Sequence, residues 1–494
     1  MSRLEQAGAA LGLALVLVAV VVTAATLAFD RDVEEPPPLA LPSELVGPDP
    51  LSFEEGQTDA YERAAAFGLS HALFAKSPGG VVAAARRTAA FRSLVEDAVS
   101  GSGLDADVVE AIVYLESAGR PDVIAGHDVE HAAGLTQILA ETATNFLGMR
   151  VDLEASRRLT RRIEDARRRG DADRVEALRA ERRELDQRFA PVHALAGTVR
   201  YLTEGRRFLG RDDLAVVSYH MGIGNLESVL RAYAGRDDDD PIARVVSQES
   251  LDYARVYFDS SPVRHADAWS RLASLGDDSQ TYYWRVLAAR EIMRLFRENP
   301  AELDRLAELH GRGPSAELVF HPPRAGHRFR TPDDLATAVA GRVLRPLPTA
   351  SAGSRVVVDR TLARALLRLG AEGRLYRTLR PNALGVLRYL ADQVYELSGE
   401  ERPLTVTRAA YDEASGPGLT PPDLEQATHA SLHATGYSFD VRRRYGSGAQ
   451  AQAFQWALER LQALGLIAWA RGESVIHVTV SPLAAAQPVA ADRS

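Results

Sequence analysis

The sequence predicts an α+β chain: an N-terminal transmembrane helix, a mainly α domain, and a small α+β domain towards the C-terminus. Three observations carry that expectation. Residues 7–29 contain no charged side chain, residues 61–299 place apolar residues at helical spacing, and residues beyond 354 mix helical stretches with short β-like runs. At 494 residues the chain can hold two or three domains, each with its own core.

The uncharged run AGAALGLALVLVAVVVTAATLAF begins at Ala7. As a helix rising about 1.5 Å per residue, it would cross a hydrocarbon core of about 30 Å. Arg3 precedes it, and Asp30, Asp32, Glu34 and Glu35 follow. Because orientation follows lysine and arginine, Arg3 against Arg31 favours export of the remainder by a thin margin. A secretory signal peptide cleaved near VTAATLA is the alternative, and it exports the chain equally well. The expected location is therefore the cell membrane, spanned once, with the folded domains outside the cytoplasm.

Net charge is −9, with acidic and basic residues interspersed, and Lys76 is the sole lysine. No long basic stripe is present, which argues against nucleic acid as a partner. Cysteine is absent. That excludes disulfides, thiolate metal sites and a cysteine nucleophile.

Residues 30–60 are a proline-rich linker, and residues 61–305 form the mainly helical domain. Within that domain, residues 154–188 are dense in charge and break once, at Gly170-Asp171. Leu159, Ile163 and Ala166 before the break face Val175, Leu178 and Leu185 after it. An inserted antiparallel helical hairpin follows, either simply solvated or an arm for a partner. Residues 306–353 form a second linker, and residues 354–482 are the final domain. Its helices are expected at 361–369 and 451–464, its β-like runs at 404–407 and 475–480.

The segment from Asp105 to Gly119 reads as one helix, capped by Asp105 or Asp107 and ended by Gly119 and Pro121. Val108, Ile112 and Leu115 mark its buried face, and Glu116 shares that face. A partly desolvated carboxyl in the last helical turn has its charged form disfavoured twice, by burial and by the helix dipole. Protonating a leaving oxygen near neutral pH needs such an acid. Taken alone, the segment also fits a glutamate paired to an arginine.

Further along come Gly134-Leu-Thr136-Gln137-Ile138, with Thr142 beyond, and then Ala215-Val-Val-Ser-Tyr219-His220-Met221-Gly222-Ile-Gly224. With Glu116-Ser117, this ordered series resembles the lytic transglycosylases of the soluble, goose-lysozyme-like group, whose patterns run E-S, G-L-M-Q-I and A-Y-N-x-G. The likeness covers about residues 104–233, interrupted by the charged hairpin, and extends to Tyr282-Tyr283-Trp284. It implies a lysozyme-like helical domain that cleaves the MurNAc–GlcNAc linkage of peptidoglycan without a cofactor. Glu116 would be the single acid/base, protonating the leaving oxygen and then taking the proton of the sugar's C6 hydroxyl as a 1,6-anhydro ring closes. Ser117 and Gln137 would line the groove, Tyr219 would hydrogen-bond near the carboxyl, and Gly134 and Gly222 would let backbone approach the sugar. His220 stands where the pattern has asparagine and Thr136 where it has methionine, which implies altered subsite contacts. Two rival readings are a muramidase that admits water and a catalytically silent wall-binding scaffold. Asp122 and Asp128 are expected to belong to the loop after the helix and not to form a catalytic carboxylate pair.

Near the C-terminus stand Ser431-Leu-His433-Ala-Thr-Gly436-Tyr-Ser-Phe-Asp440 and Val475-Ile-His477. They resemble the S-x-H-x-x-G-x-x-x-D … H pattern of zinc D-alanyl-D-alanine carboxypeptidases and dipeptidases. The likeness implies zinc held by His433, Asp440 and His477 with one position open, and Arg408 holding a substrate carboxylate. Where that family places its general base, this chain has Ser474, with Glu473 one residue earlier. In an extended strand Glu473 would stand roughly 13 Å from His477, and only a turn at Gly472 or Glu473 would bring it in. The alternative is a domain that keeps the fold and only binds the stem peptide.

Overall fold

The computed structural model describes residue 41, residues 49–482 and residue 484, leaving aside 237–239, 314–315, 323–327, 349–352, 369 and 416–431. It corrects the expected fold class. The protein is mainly helical, at 61% helix, with a modest sheet, and among the described residues no helix is long and apolar enough to cross a membrane. The transmembrane helix expected at 7–29 lies outside the described residues.

The helical part is built around α1 (Thr58–Leu69), the short α2 (His71–Lys76), α3 (Ala106–Ser117), the hairpin α4 (Leu153–Arg168) and α5 (Ala172–Leu185), α6 (Pro191–Leu209), α7 (Asp212–Met221) and α8 (Tyr282–Glu298). Helix α8 runs through the centre, packed against both α1 and α3. Ten of its residues are buried, including Trp284, which is wholly enclosed. The hairpin forms as its sequence predicts: Asp152 and Asp171 cap the two helices, and Leu159, Ile163, Ala166, Val175 and Leu178 close a small separate core.

Beyond α9 (Glu317–Phe320) come β1 (Arg345–Pro346), β2 (Val356–Val358), β3 (Thr378–Leu379), α10 (Pro381–Ser398), β4 (Leu404–Arg408), β5 (Ser438–Arg442), α11 (Gly448–Ala463), β6 (Ile467–Arg471) and β7 (Val475–Val480). Five strands make one sheet in the order β2-β4-β5-β7-β6, with β2 parallel to β4 and the other pairs antiparallel. The register sets Asp440 opposite His477 on one side and opposite Arg408 on the other. Three chemically distinctive residues thus lie abreast on adjacent strands.

The hydrophobic core is continuous from the helical part into this sheet-bearing part, joining Tyr61, Ile112 and Trp284 to Leu387, Phe454 and Val478. The join is tight where α1 crosses the end of α11. A Cβ on Gly68 would stand 2.4 Å from the Gln462 carbonyl oxygen, and one on Gly465 would stand 2.7 Å from the Phe67 ring. Buried Arg460 on α11 reaches Asp49 at 2.7 Å and the Tyr389 hydroxyl at 3.0 Å. Because the Gly68 neighbours are backbone, the added methyl of Gly68→Ala can be accommodated only by moving a helix. It should cost about 1–3 kcal/mol in denaturant unfolding, whereas Gly448→Ala, with open space around it, should leave stability unchanged.

Candidate active site and candidate metal centre

Helix α3 is fixed before its last turn is reached. Asp105 caps it, accepting from the Asp107 amide at 2.8 Å. Buried Glu110 is shared by Arg92, at 3.1 Å, and Arg297. The helix is enclosed on nearly every side: Val109, Ile112 and Val113 are buried, while Val108 and Leu115, expected on the buried face, are only half-buried. It ends in a left-handed turn at Ala118 and Gly119, both with positive φ. A Cβ on Gly119 would meet the Arg87 backbone at 2.5 Å, so the chain must turn there on glycine.

That termination leaves Glu116 half-buried at the wall of a cavity of about 550 Å³. Tyr282, at the start of α8, donates its hydroxyl to Glu116 Oε1 at 2.6 Å. Burial raises the Glu116 pKa from its ordinary 4.5 to about 7, against the opposing pull of the Tyr282 hydrogen bond and the Arg285 charge. Arg285 itself is paired with Asp278 at 2.5 Å. Glu116 is therefore a carboxylic acid poised near neutrality and not half of an ion pair.

Tyr219, expected near the carboxyl, donates instead to the Thr136 carbonyl at 2.8 Å and shares a bond with Thr198 at 3.1 Å. It supports the carboxyl's partner from behind, its ring stacking on that of Tyr282 at 6.5 Å. His220 stacks on the same ring at 4.9 Å and bonds Ser279 at 2.9 Å. Ser117 lines the cavity with its hydroxyl turned back to the Val113 carbonyl at 3.2 Å. Gln137, with φ of 51°, donates its amide to the carbonyls of Val123 and Gly134, so it braces its own loop. Gly222 starts the next helix with φ of 84° and no close neighbour. Gly134 has a different constraint from the one its motif implies: a Cβ there would collide with the Arg188 carbonyl at 1.8 Å. Sequence reasoning did not single out Asp277, Asp278, Arg285 or Glu459, which also line the cavity, because they come from segments distant in sequence and carry no local pattern.

The charged hairpin holds the loop that follows Glu116. Asp122 is gripped by Arg182 at 2.8 Å and Arg179 at 3.1 Å, and Asp128 by Arg157 at 2.9 Å. Both aspartates are thereby committed to structure, which removes them as a catalytic pair. At the hairpin base, Arg188 and Asp186 form a fully buried ion pair at 2.7 Å, and Arg188 donates to the carbonyls of Val129 at 2.6 Å and His131 at 3.0 Å.

The second cluster is His433, Asp440 and His477, all buried, with candidate ligand atoms within 4.8 Å of one another. His433 Nε2 lies 3.1 Å, and His477 Nδ1 2.6 Å, from Asp440 Oδ1. The other nitrogen of each ring is occupied. His433 Nδ1 faces the carbonyls of Ala409 and Ser438, and His477 Nε2 faces Glu317 at 3.0 Å. With its proton spent on a carbonyl, neutral His433 points a lone pair at a carboxylate, and a cation between them removes that conflict. These three residues can hold a metal ion. Burial alone would lower the His477 pKa, but Glu317 and Asp440 outweigh it and push the value up to about 10.

Arg408 is buried with Nη1 at 3.5 Å from Asp440 Oδ2, and its Nη2 has no hydrogen-bond partner among the described residues. Ser431, the first residue of the motif, lies outside the described residues. Glu473 and Ser474 are exposed in the β6–β7 turn, with Gly472 bonded to Val475. That turn directs Glu473 to solvent and leaves it outside the cluster. The carboxylate that does reach the cluster is Glu317, from a segment read in sequence as linker. No protein-family model matches the chain, and no curated protein matches it.

Truncating Arg188 would leave Asp186 buried and unpaired. Arg188→Ala should cost about 3–5 kcal/mol in equilibrium unfolding, and proteolysis should then open first between residues 120 and 138.

Proposed function

We propose that this protein cleaves the glycan strands of peptidoglycan as a lytic transglycosylase, outside the cytoplasm where that polymer lies, with Glu116 as its single acid/base. The observation that carries the reading is a hydrogen-bonded, unpaired carboxyl with a pKa of about 7 at the wall of a cavity. A glycosidic oxygen placed against Glu116 receives its proton as the C1–O bond breaks. The resulting carboxylate stabilises positive charge at C1 and accepts the C6 hydroxyl proton, while that oxygen closes on C1. Glu116 ends protonated, as it began. The nucleophile belongs to the substrate, so proximity replaces a second carboxylate and a bound water. Tyr282 fixes the acid's orientation throughout.

A muramidase reading is favoured by one observation: Asp277, whose pKa is lowered, lines the same cavity and can receive a water. Mass spectrometry of digested wall separates the two, because only the transglycosylase leaves anhydro ends lighter by one water. A silent wall-binding scaffold predicts no products at all.

For the sheet-bearing part, we propose that zinc is the metal held by His433 Nε2, Asp440 and His477 Nδ1, a three-ligand set of the open type. Bound there, zinc would supply Lewis-acid polarisation of a peptide carbonyl. Glu317 orients His477 through its far nitrogen, and the spare Nη2 of Arg408 offers a donor to a stem-peptide carboxylate. The part either trims or only binds the stem peptide.

Glu116→Gln should lower glycan cleavage by about 10²–10⁴-fold, and wild-type activity should fall as pH rises through about 7. The stability consequence has a definite sign. The folded state holds the Glu116 proton more tightly than the unfolded state, so the wild type loses stability relative to Glu116→Gln as pH rises from 4.5 through about 7. Thermal melts of the two should coincide below pH 4.5 and favour the variant above pH 7. For the metal, elemental analysis should find zinc in wild type and none in His433→Ala, and Glu317→Ala should bind zinc about 10–100-fold more weakly. Equal zinc in wild type and His433→Ala would dismiss the metal.

A further inference from the structure

The cavity beside Glu116 is not enclosed by the helical part alone. One wall is α11 of the sheet-bearing part, which presents Glu459, Gln462 and Ala463. Those positions follow helical spacing of three and four residues, so they share one face. The wall is held firmly. Gly68 packs against the Gln462 and Ala463 carbonyls, Trp456 donates to the Ser260 carbonyl at 3.2 Å, and buried Arg460 ties α11 to Asp49.

We infer that Glu459 and Gln462 form a saccharide subsite of the cleft, so that the sheet-bearing part sets where along a glycan strand Glu116 cuts. The inference rests on the glycan-cleaving reading above. Glu459 is exposed and accepts from Gln455 through Oε1 at 2.5 Å, which leaves Oε2 for an incoming hydroxyl. Gln462 is half-buried, and its amide offers both a donor and an acceptor. Sugar hydroxyls donate and accept in neighbouring pairs, and a carboxylate beside an amide meets both needs. Half-buried Tyr257 lines the same wall and supplies an aromatic body for the apolar side of a sugar ring. Ala463, with the smallest side chain that keeps the helix strong, leaves the space clear.

The test uses the full chain and soluble, peptide-free MurNAc–GlcNAc tetrasaccharide. Calorimetric affinity is measured in a Glu116→Gln background, with and without Glu459→Ala plus Gln462→Ala. Losing a charged and a neutral hydrogen bond should weaken binding by about 10-fold or more. In the otherwise wild-type chain the same pair should raise KM and shift the length distribution of products from peptide-free glycan strands. Unchanged affinity together with an unchanged product distribution overturns the inference. If the wild-type chain neither binds the tetrasaccharide nor cleaves strands, the glycan-cleaving reading itself falls, so the two failures are distinct. Should the double variant not fold, Glu459→Gln, at an exposed position, replaces it; it keeps the shape and removes the charge, and the same two readouts decide.

Discussion

The candidate site depends on holding one half-buried carboxyl without giving it a counter-ion. Helix α3 carries two glutamates six residues apart, Glu110 buried and Glu116 half-buried, and their fates differ. Glu110 sits between Arg92 and Arg297 and serves as a rivet. Glu116 meets a phenol instead, and burial outweighs that single hydrogen bond, so its pKa rises to about 7. An arginine at the Tyr282 position would hold the carboxyl ionised. The choice of tyrosine over arginine as partner is thus the difference between an ion-paired glutamate and one whose pKa is raised to about 7. Keeping that partner in place accounts for much of the surrounding architecture: α8 is enclosed along most of its length, and Tyr219 and His220 stack against the Tyr282 ring.

Charge in the inserted hairpin has a similar division of labour. Several of its arginines pair with acidic residues in solvent, where such pairs contribute little. A few point inward and hold the loop after α3 by its aspartates and carbonyls. The buried Arg188–Asp186 pair is weak evidence for stability in itself, since desolvation offsets attraction. Its value lies in direction: besides the two bonds to Asp186, the Arg188 guanidinium is aimed at the backbone carbonyls of Val129, His131 and Ile138 and braces the loop. Gly134 belongs to the same device, because only a residue without Cβ lets the loop lie against the Arg188 carbonyl.

In the sheet, strand register performs the assembly. Arg408, Asp440 and His477 become neighbours because β4, β5 and β7 are adjacent and a register shift between Val406 and Arg408 sets Arg408 opposite Asp440. His433 enters from the helical end just before the turn at 434–436 that leads into β5, and Glu317 from a helix of only four residues. Each histidine has one nitrogen facing the cluster and the other held by a backbone carbonyl or a carboxylate, so ring orientation is settled independently of any ligand.

Local periodicity was enough to identify the Glu116 helix, the apolar seam of the hairpin and the strands near 404 and 475, because each is encoded within a few turns or a short run; the His433, Asp440 and His477 set came instead from the resemblance of its motif to a zinc-peptidase pattern. The same pattern reading named an amphipathic face for α3 that the fold does not respect, since a helix enclosed on nearly all sides has no single buried stripe. Apolarity alone also led the chain with a membrane helix that no described helix supports. What only the tertiary structure decided is the identity of partners. Tyr282 reaches Glu116 across 166 residues, Glu317 reaches Thr479 beside His477 across 162, and α11 supplies a wall of the cavity from the far end of the chain. Sequence spacing records which way a side chain faces on its own element. Which group waits opposite depends on how whole elements pack, and that is fixed by the shared core and not by any local pattern.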